Sequence, residues 1–495
     1  MRLTLPVGLN LNIITLILIT LLGALLRFYR LDFQSLGHDE LSSAYRSSHH
    51  ALMDVINIGV KPDVHPPLFQ IILFYVEHWW GDDAYQLRFL SAAAGTMAIP
   101  AIYFLGLRLY GPTQGLLAAF FLAVSWMPIY YSQEARAYSL LLFFSITSTL
   151  AWLSLIQPGS RQSRYLSVTG YVFTAAFCSY LHYFGLFLVA LQGMAAMALL
   201  PARWKLWPQM LSAYALLVLL YMPWMPMLYE HLTNRVGWMP APKGFWRTFY
   251  LMAKEYLNRS AIFVIMAGLL MFAGLTIQIW KNKSQKATAF QWASTLLLIG
   301  WFVLPFVIIY LKSTYGKPIF SERNMIISAA PAYLLLAQSC VWIAGRKAWI
   351  AGVPVGLIFL LHLIYGTNYY NAVSKPQFRE AMAHVAASEQ DSDPVIIVFG
   401  AVKPYFDYYL KKAESDLRAS AHWRKTFTRE DRIAIKERLN KSLGKNICIV
   451  TAHREPPPEL LLMIEENVAV LDHKKFFQAQ VWCGRIMQTP TSTLP

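Results

Sequence analysis

The sequence is poor in charge and in cysteine. Charged residues make up 14% of its 495 positions, whereas a soluble domain carries about 25%. Hydrophobic residues make up 56%, and the mean hydropathy is +0.39. Four cysteines are too few for a disulfide framework. This composition excludes an ordinary soluble protein and indicates a polytopic membrane protein.

Acidic residues are scarce relative to basic ones. The chain has 43 Lys and Arg against 27 Asp and Glu, a formal net charge of +16. Such a balance can serve nucleic acid binding. Here, however, most Lys and Arg lie in short loops between apolar segments, where positive charge fixes the orientation of a membrane protein. We therefore predict contact with membrane lipid and no nucleic acid partner.

About eleven apolar segments are long enough to predict transmembrane helices, which need about 20 residues each. They cover residues 9–28, 86–109, 115–131, 138–156, 165–183, 185–200, 209–225, 261–280, 289–311, 325–343 and 348–366. No small-x-small cleavage site follows the first segment, which favours an uncleaved anchor over a signal peptide.

The loops between these segments predict the orientation of the chain. Five of them carry basic residues and no acidic residue: 106–112, 157–165, 201–207, 281–286 and 345–348. If the spans alternate, all five lie on one side, which is then the cytoplasm together with the N-terminus. The first external loop (29–83), the corner at 130–138 and the chain after 366 then lie outside. Because nucleotide sugars are not expected there, a sugar donor on this face would be a lipid phosphate.

The last part of the chain has the polarity of a soluble domain. We predict a transmembrane domain over 1–368 and a small extracytoplasmic α/β domain over 369–495. Its predicted strands are 394–399 and 446–450, with 468–471 and 476–487 as possible further strands, and its predicted helices are 378–388, 405–412 and 429–443. Cys448 and Cys483 both lie in strand-like segments on the oxidising side, and the sequence leaves open whether they form a disulfide.

Two adjacent carboxylates follow the first apolar segment, in His38-Asp39-Glu40. Sugar transfer to a hydroxyl group needs a carboxylate that accepts the acceptor's proton. We therefore predict that Asp39 is a catalytic base and that Glu40 belongs to the same catalytic pair. An isolated Asp-Glu pair is also typical of a helix start with a solvated acid, and two further features weigh against that alternative.

The first feature is His65, which precedes two prolines that fix the backbone. This pattern suits substrate binding or a simple loop break. The second is the corner that contains Glu134, Arg136 and Tyr138. Ionisable residues at a membrane edge favour a functional interpretation. The planar guanidinium of Arg136 suits a phosphate, although it could instead pair with Glu134.

Three other side chains are candidates for substrate or phosphate binding. His182 ends the fifth apolar segment, where a lone histidine is more often a core residue. Lys317 and Arg323 lie in the loop 312–324 and could contact phosphate, with snorkelling at the interface as the alternative. Metal ligation remains open because no short fixed spacing marks a metal site. The candidate ligands are His38, Asp39, Glu134 and His182.

Together these motifs resemble the bacterial family-39-type glycosyltransferases of the GT-C superfamily, which stand beside protein O-mannosyltransferases and lipid A aminoarabinose transferases. The resemblance covers residues 10–400. It rests on Asp39-Glu40, His65-Pro66-Pro67-Leu68, Leu87–Ser91, Ser132–Tyr138, His182–Gly185 and Lys375–Arg379. It implies an enzyme on the outer face of a bacterial inner membrane that uses a polyprenyl-phosphate sugar, with Asp39 as the catalytic acid. The aminoarabinose enzymes have Glu-Lys before the two prolines, where this chain has Val64 and His65, so sugar identity and metal binding do not carry over.

The resulting hypothesis is an inverting hexosyl- or pentosyltransferase whose acceptor is a lipid, a glycan or a protein. Asp39 accepts the acceptor's proton, and Arg136 with Lys317 or Arg323 stabilises the departing phosphate. Glu40, His65 and Glu134 orient the substrates, and Tyr138 and His182 are further candidates for substrate or phosphate binding. The alternatives are a transporter or flippase of lipid-linked glycans and a non-catalytic partner in envelope assembly. The sequence shows no inverted repeat and its acids cluster at the outer edge, which favours the enzyme.

Overall fold

The computed structural model describes the chain in ten ranges: residues 7–156, 161–199, 204–233, 241–282, 289–388, 395–399, 403–414, 419–423, 427–452 and 455–487. The chain forms two compact units. The first comprises Met1–Leu31 and His49–Tyr370, and the second comprises Asp32–Ser48 and Asn371–Pro495. The predicted domain boundary at 368/369 stays a prediction, but residues 32–48 of the first loop pack with the second unit.

The first unit is helical. Its helices are α1 (Val7–Phe28), α3 (Leu52–Asp54), α4 (Leu68–Trp79), α5 (Ala84–Leu109), α6 (Pro112–Val124), α7 (Trp126–Ser132), α8 (Tyr138–Leu155), α9 (Arg161–Leu181), α10 (Tyr183–Leu199), α11 (Trp207–Tyr221), α12 (Met225–Thr233), α13 (Phe245–Tyr256), α14 (Ala261–Asn282), α15 (Ala289–Tyr315), α16 (Ala329–Ala344) and α17 (Ala348–Leu361). Every predicted apolar segment therefore contains a helix. Short 3₁₀ or π turns cover Val55–Val60, Glu322–Ser328 and His362–Gly366.

The fold class, a polytopic α-helical membrane protein, is confirmed, but the count of eleven spans is not. Within the described ranges, seven helical segments are long and apolar enough to cross a membrane, or eight if the bent pair α6–α7 is one span. One of them, Glu322–Gly366, merges two of the predicted spans because α16 and α17 are joined by a single turn. The apolar part of α10 is shorter, Tyr183–Met197, and α9 begins with polar residues.

The orientation predicted from the basic loops stays a prediction. Several residues that carry this argument, namely Arg203, Lys283 and Lys286, lie outside the described residues.

Helices α6 and α7 are one apolar helix that is bent by 59° at Ser125. The bend leaves carbonyl groups at the end of α6 without partners in their own helix. Arg27 of α1 supplies these partners: it donates from Nη1 to Ala123 O at 3.1 Å and from Nη2 to Leu122 O at 3.0 Å. Its guanidinium is completely buried. A positive charge at a helix C-terminus is also favoured by the helix dipole.

The start of α7 is fixed by Asn258, which is likewise completely buried. Its Oδ1 accepts a hydrogen bond from the Trp126 amide at 2.7 Å, and its Nδ2 donates to Phe359 O at 2.7 Å. In an apolar environment, an unsatisfied backbone group costs several kcal/mol. Arg27 and Asn258 therefore make the bend compatible with burial.

The second unit is a small α/β domain, as predicted. It contains α2 (His38–Ser47), α18 (Phe378–Ala387), α19 (Lys403–Lys412), α20 (Arg429–Asn440), α21 (Pro458–Asn467), β1 (Val395–Phe399), β2 (Ala419–Trp423), β3 (Asn446–Ala452), β4 (Val468–Phe476) and β5 (Ala479–Ile486). The sheet order is β2-β1-β3-β5-β4, with β1 parallel to β2 and β3 and the other pairs antiparallel. Sequence analysis missed β2 and α21.

Cys448 on β3 and Cys483 on β5 lie directly opposite each other and form a disulfide. The bond joins a central strand to its antiparallel neighbour. This settles the pairing that the sequence left open.

Asn258→Ala is expected to destabilise the first unit by about 2–4 kcal/mol, because it leaves the Trp126 amide and the Phe359 carbonyl buried without partners. Unfolding of the purified protein in detergent, followed by circular dichroism against denaturant, measures this loss. Thr314→Ala is the matched control, since its exposed hydroxyl bonds only to the carbonyl one turn earlier, Tyr310 O. Equal stability of the Asn258 and Thr314 variants would contradict the role given to Asn258.

Candidate functional site

The corner between α7 and α8 brings a buried guanidinium to the end of two apolar helices. The turn is held by hydrogen bonds from the Arg136 amide to Glu134 O at 2.8 Å and from Ser91 Oγ to Arg136 O at 3.0 Å. Arg136 is 7% exposed, and its guanidinium lies 5.9 Å from the centre of the Tyr138 ring. A buried arginine stays positively charged, so this corner is suited to an anion.

His65 links Arg136 to a carboxylate. Arg136 Nη2 lies 3.5 Å from His65 Nε2, and His65 Nδ1 lies 2.9 Å from Asp63 Oδ2. Because a guanidinium can only donate, the contact with Arg136 requires Nε2 to accept, and Nδ1–H then donates to Asp63. The side chains of Asp63, His65 and Arg136 thus form a connected set that orients the guanidinium.

His182 stands at the break between α9 and α10. The Phe184 amide donates to His182 Nδ1 at 3.3 Å, which leaves Nε2 as the protonated nitrogen. The centre of its ring lies 5.4 Å from that of His65 and 6.2 Å from that of Tyr138. This ring therefore extends the cluster around Arg136.

His182 is neutral at physiological pH. Burial lowers its pKa well below the usual range, and the neighbouring side chains of His65, Arg136 and Arg323 act in the same direction, while Asp63 opposes them. The cluster consequently concentrates its positive charge on guanidinium groups and offers imidazole as a polar, uncharged donor.

The structure thus brings together four of the predicted site residues, His65, Arg136, Tyr138 and His182. Glu134 lies in the same corner, and the positive charge of Arg323 helps to lower the pKa of His182. Lys317 is engaged elsewhere: its ammonium group is exposed and donates to Thr233 O at 2.6 Å. It is not brought into this cluster by any described contact.

The predicted carboxylates lie on α2, in the second unit. Helix α2 begins at His38, so Asp39 and Glu40 both fall in its first turn, where the helix dipole favours negative charge. Asp39 is half-buried. Glu40 is 1% exposed, and its Oε2 lies 2.8 Å from Lys375 Nζ and 2.8 Å from the Gly37 amide. The two neighbours therefore have different surroundings.

Two residues of these sites were assigned no role from the sequence. Asp63 could have been noticed, since it stands two residues before His65. Lys375 was quoted only as part of the motif Lys375–Arg379, and its pairing with Glu40 could not be foreseen, because the two are 335 positions apart.

The sequence left open whether the protein binds a metal ion. In the part of the chain that the structure describes, no group of three or more His, Cys, Asp or Glu side chains could hold a metal ion. His38, Asp39, Glu134 and His182 therefore form no ready-made ligand set. Participation of a divalent ion stays a prediction.

Residues 64–229, about a third of the chain, match the family model described as dolichyl-phosphate-mannose-protein mannosyltransferase. No curated protein matches the chain. Among solved structures, ArnT from Cupriavidus metallidurans bound to undecaprenyl phosphate has a TM-score of 0.59 and 13% identity, over 94% of this chain and 97% of that one. The Archaeoglobus fulgidus oligosaccharyltransferase, in complex with zinc and sulfate, has a TM-score of 0.54 and 11% identity, over 88% of this chain and 68% of that one. At these identities the likeness shows the fold.

His182→Gln is expected to flatten the pH dependence of stability. The folded protein keeps His182 neutral, whereas the unfolded chain binds a proton there below about pH 6.5. The unfolded state then takes up more protons, so this residue costs up to about 1.4 kcal/mol of stability per pH unit as the pH falls below that value. Thermal unfolding in detergent from about pH 7.5 to pH 5 measures the slope. The exposed His50→Gln is the control, and an unchanged slope in His182→Gln would contradict the prediction.

Proposed function

Because the chain has the GT-C fold of polytopic membrane glycosyltransferases, we propose that it transfers a sugar from a polyprenyl-phosphate donor to a hydroxyl group of an acceptor. The observation that carries this proposal is the buried Arg136, held beside the imidazoles of His65 and His182. The undecaprenyl phosphate bound to ArnT supports the same class of donor.

The departing group in this reaction is a phosphate, and Arg136 is suited to it. Its planar fork can bind two phosphate oxygens at once, and its burial strengthens the attraction to an anion. Stabilising the charge that develops on the leaving group is commonly the largest catalytic contribution. Arg323 adds a second positive charge near His182.

The two histidines and Tyr138 orient the sugar. His182 offers Nε2–H as a donor, and His65 holds the guanidinium of Arg136 through the hydrogen bonds that also engage Asp63. The neutral imidazole of His182 suits a site for sugar hydroxyls, because it binds without competing for the phosphate charge. Glu134 belongs to this group through its place in the same turn.

Asp39 is the proposed general base. It accepts the proton of the acceptor hydroxyl as the oxygen bonds to the anomeric carbon and the bond to the phosphate oxygen breaks. The mechanism has a single displacement and no enzyme nucleophile, so the anomeric configuration is inverted. We place the reaction on the outer face of a bacterial inner membrane, with the N-terminus in the cytoplasm and a lipid, glycan or protein as the acceptor.

Asp39→Asn is expected to lower sugar transfer at least about 100-fold, because the amide cannot accept the proton. The assay uses the purified protein in lipid nanodiscs, radiolabelled polyprenyl-phosphate sugars and extracted envelope acceptors, and follows both transfer and release of polyprenyl phosphate. Asp54→Asn, an exposed carboxylate in the same loop, is the control. Normal transfer by Asp39→Asn would show that another group is the base, and donor translocation without release would support a transporter.

Arg136→Met is expected to lower kcat about 100- to 1,000-fold, because the leaving phosphate loses its buried positive partner. Arg136→Lys should fall between this variant and the wild type, since lysine keeps the charge without the planar fork. Arg247→Met removes an exposed arginine on α13 and serves as the control. If Arg136→Met and Arg247→Met had equal kcat values, the leaving-group role would be refuted.

A further inference from the structure

We infer that the buried ion pair of Glu40 and Lys375 is a positioning device that fixes the start of α2 and thereby the orientation of Asp39. The inference rests on the proposed function, in which Asp39 is the general base. It gives Glu40 a different role from the catalytic one expected from sequence, and it gives Lys375 a role that sequence analysis did not assign.

The carboxylate of Glu40, the residue after Asp39, is hydrogen-bonded to the amide of Gly37, two residues before Asp39. A single carboxylate oxygen, Glu40 Oε2, accepts hydrogen bonds from Lys375 Nζ and from the Gly37 amide, each at 2.8 Å. Both side chains of the pair are at most 7% exposed. Asp39 stands between Gly37 and Glu40 in the first helical turn, so its Cα–Cβ direction is set by this carboxylate.

The chain that leads into α2 is bonded to the same segment. Gln34 Oε1 accepts hydrogen bonds from the amides of Ser374 and Lys375, both at 2.9 Å. The Leu36 amide donates to the hydroxyl of Tyr409 at 2.6 Å. The backbone ahead of Asp39 is thus held by residues that follow position 370.

Arg379 completes the attachment. Its guanidinium donates to Asp32 O at 2.9 Å and to Phe33 O at 2.6 Å. These two carbonyls lie immediately before Gln34. Residues 32–40 are therefore bound by side chains and amides of the segment 374–379 and by the hydroxyl of Tyr409.

A buried ion pair is a poor choice for stability alone. The cost of removing both charges from water often exceeds their attraction, and an apolar pair of similar volume can be as stable. Loss of one partner is far more disruptive, because it leaves a single charge buried. Such a pair specifies one arrangement, which is what a general base needs in order to meet a hydroxyl at a defined distance.

The surroundings of the two carboxylates support this division of roles. Glu40 is 1% exposed and directs one oxygen to two donors of its own unit. Asp39 is half-buried at the beginning of the same helix. A proton acceptor has to be reached by the substrate, and Asp39 meets this condition better than Glu40.

The test compares Lys375→Met and Glu40→Gln with the wild type in nanodiscs by two measurements. Hydrogen–deuterium exchange follows the amides of residues 36–47, and transfer kinetics with the polyprenyl-phosphate sugar panel give kcat and KM separately. Lys403→Met is the matched control, because it breaks an ion pair with Asp407 that is about one-third exposed in the same unit.

We expect both variants to exchange the α2 amides at least about tenfold faster and to lose about 10- to 100-fold in kcat. The KM for the donor should remain within about twofold, because the donor-binding residues are unchanged. A lysine that served only global stability would lower the melting temperature and leave kcat per folded molecule intact.

If the amides of residues 36–47 exchanged at the wild-type rate in both variants, the inference would be overturned, whatever the rate of sugar transfer. Faster exchange with unchanged kcat would also overturn it, since Asp39 would then not depend on the pair. The wild type could transfer no sugar from any donor while the α2 amides still exchanged faster in both variants. The role of the ion pair in fixing α2 would then be retained, and the proposed function would be refuted instead.

Discussion

A backbone amide or carbonyl in an apolar environment has to find its partner within the protein, and the bend at Ser125 meets this constraint with two side chains. Arg27 binds the carbonyls that end α6, and Asn258 binds the amide that begins α7. Helix α7 is only seven residues long and runs from this anchored start to the corner that carries Arg136. The far end is anchored too, because Gln133 Nε2 donates to Arg27 O at 3.0 Å. The position of Arg136, the candidate phosphate-binding residue, therefore depends on the hydrogen bonds that Arg27 and Asn258 make at the bend.

The polar chemistry of the first unit is concentrated where helices are interrupted. Arg136 lies between α7 and α8, His182 between α9 and α10, and the Asp63–His65 turn precedes α4. Apolar helices shield their own backbone, so their ends are the places where polar groups can converge at little cost. The result is a buried guanidinium that lies beside imidazole and phenol rings, with the Asp63 carboxylate bonded to His65.

How much could be predicted from sequence follows from how far each signal reaches along the chain. Apolar runs predicted helix in all eleven segments, because hydropathy is local. The number of spans was not confirmed, in part because α16 and α17, predicted as two spans, are joined by the single turn Gly345–Lys347. His65 was singled out because two prolines follow it, and Arg136 and His182 because they are polar residues at the ends of apolar segments. Lys375 was noted only within the motif Lys375–Arg379, and its pairing with Glu40 was not foreseen, because a contact across 335 positions leaves no pattern in one sequence.

The division of the second unit into two distant stretches of sequence has a consequence for synthesis. At about 5–20 residues per second, a ribosome makes Lys375 roughly 20–70 seconds after Glu40. During this interval α2 has no partner from its own unit, and the helices of the first unit emerge before it can dock. A nascent or C-terminally truncated chain can thus insert its membrane helices while the helix that carries Asp39 is still unsupported. The contacts that hold residues 32–40 are therefore complete only when the last quarter of the polypeptide has been made.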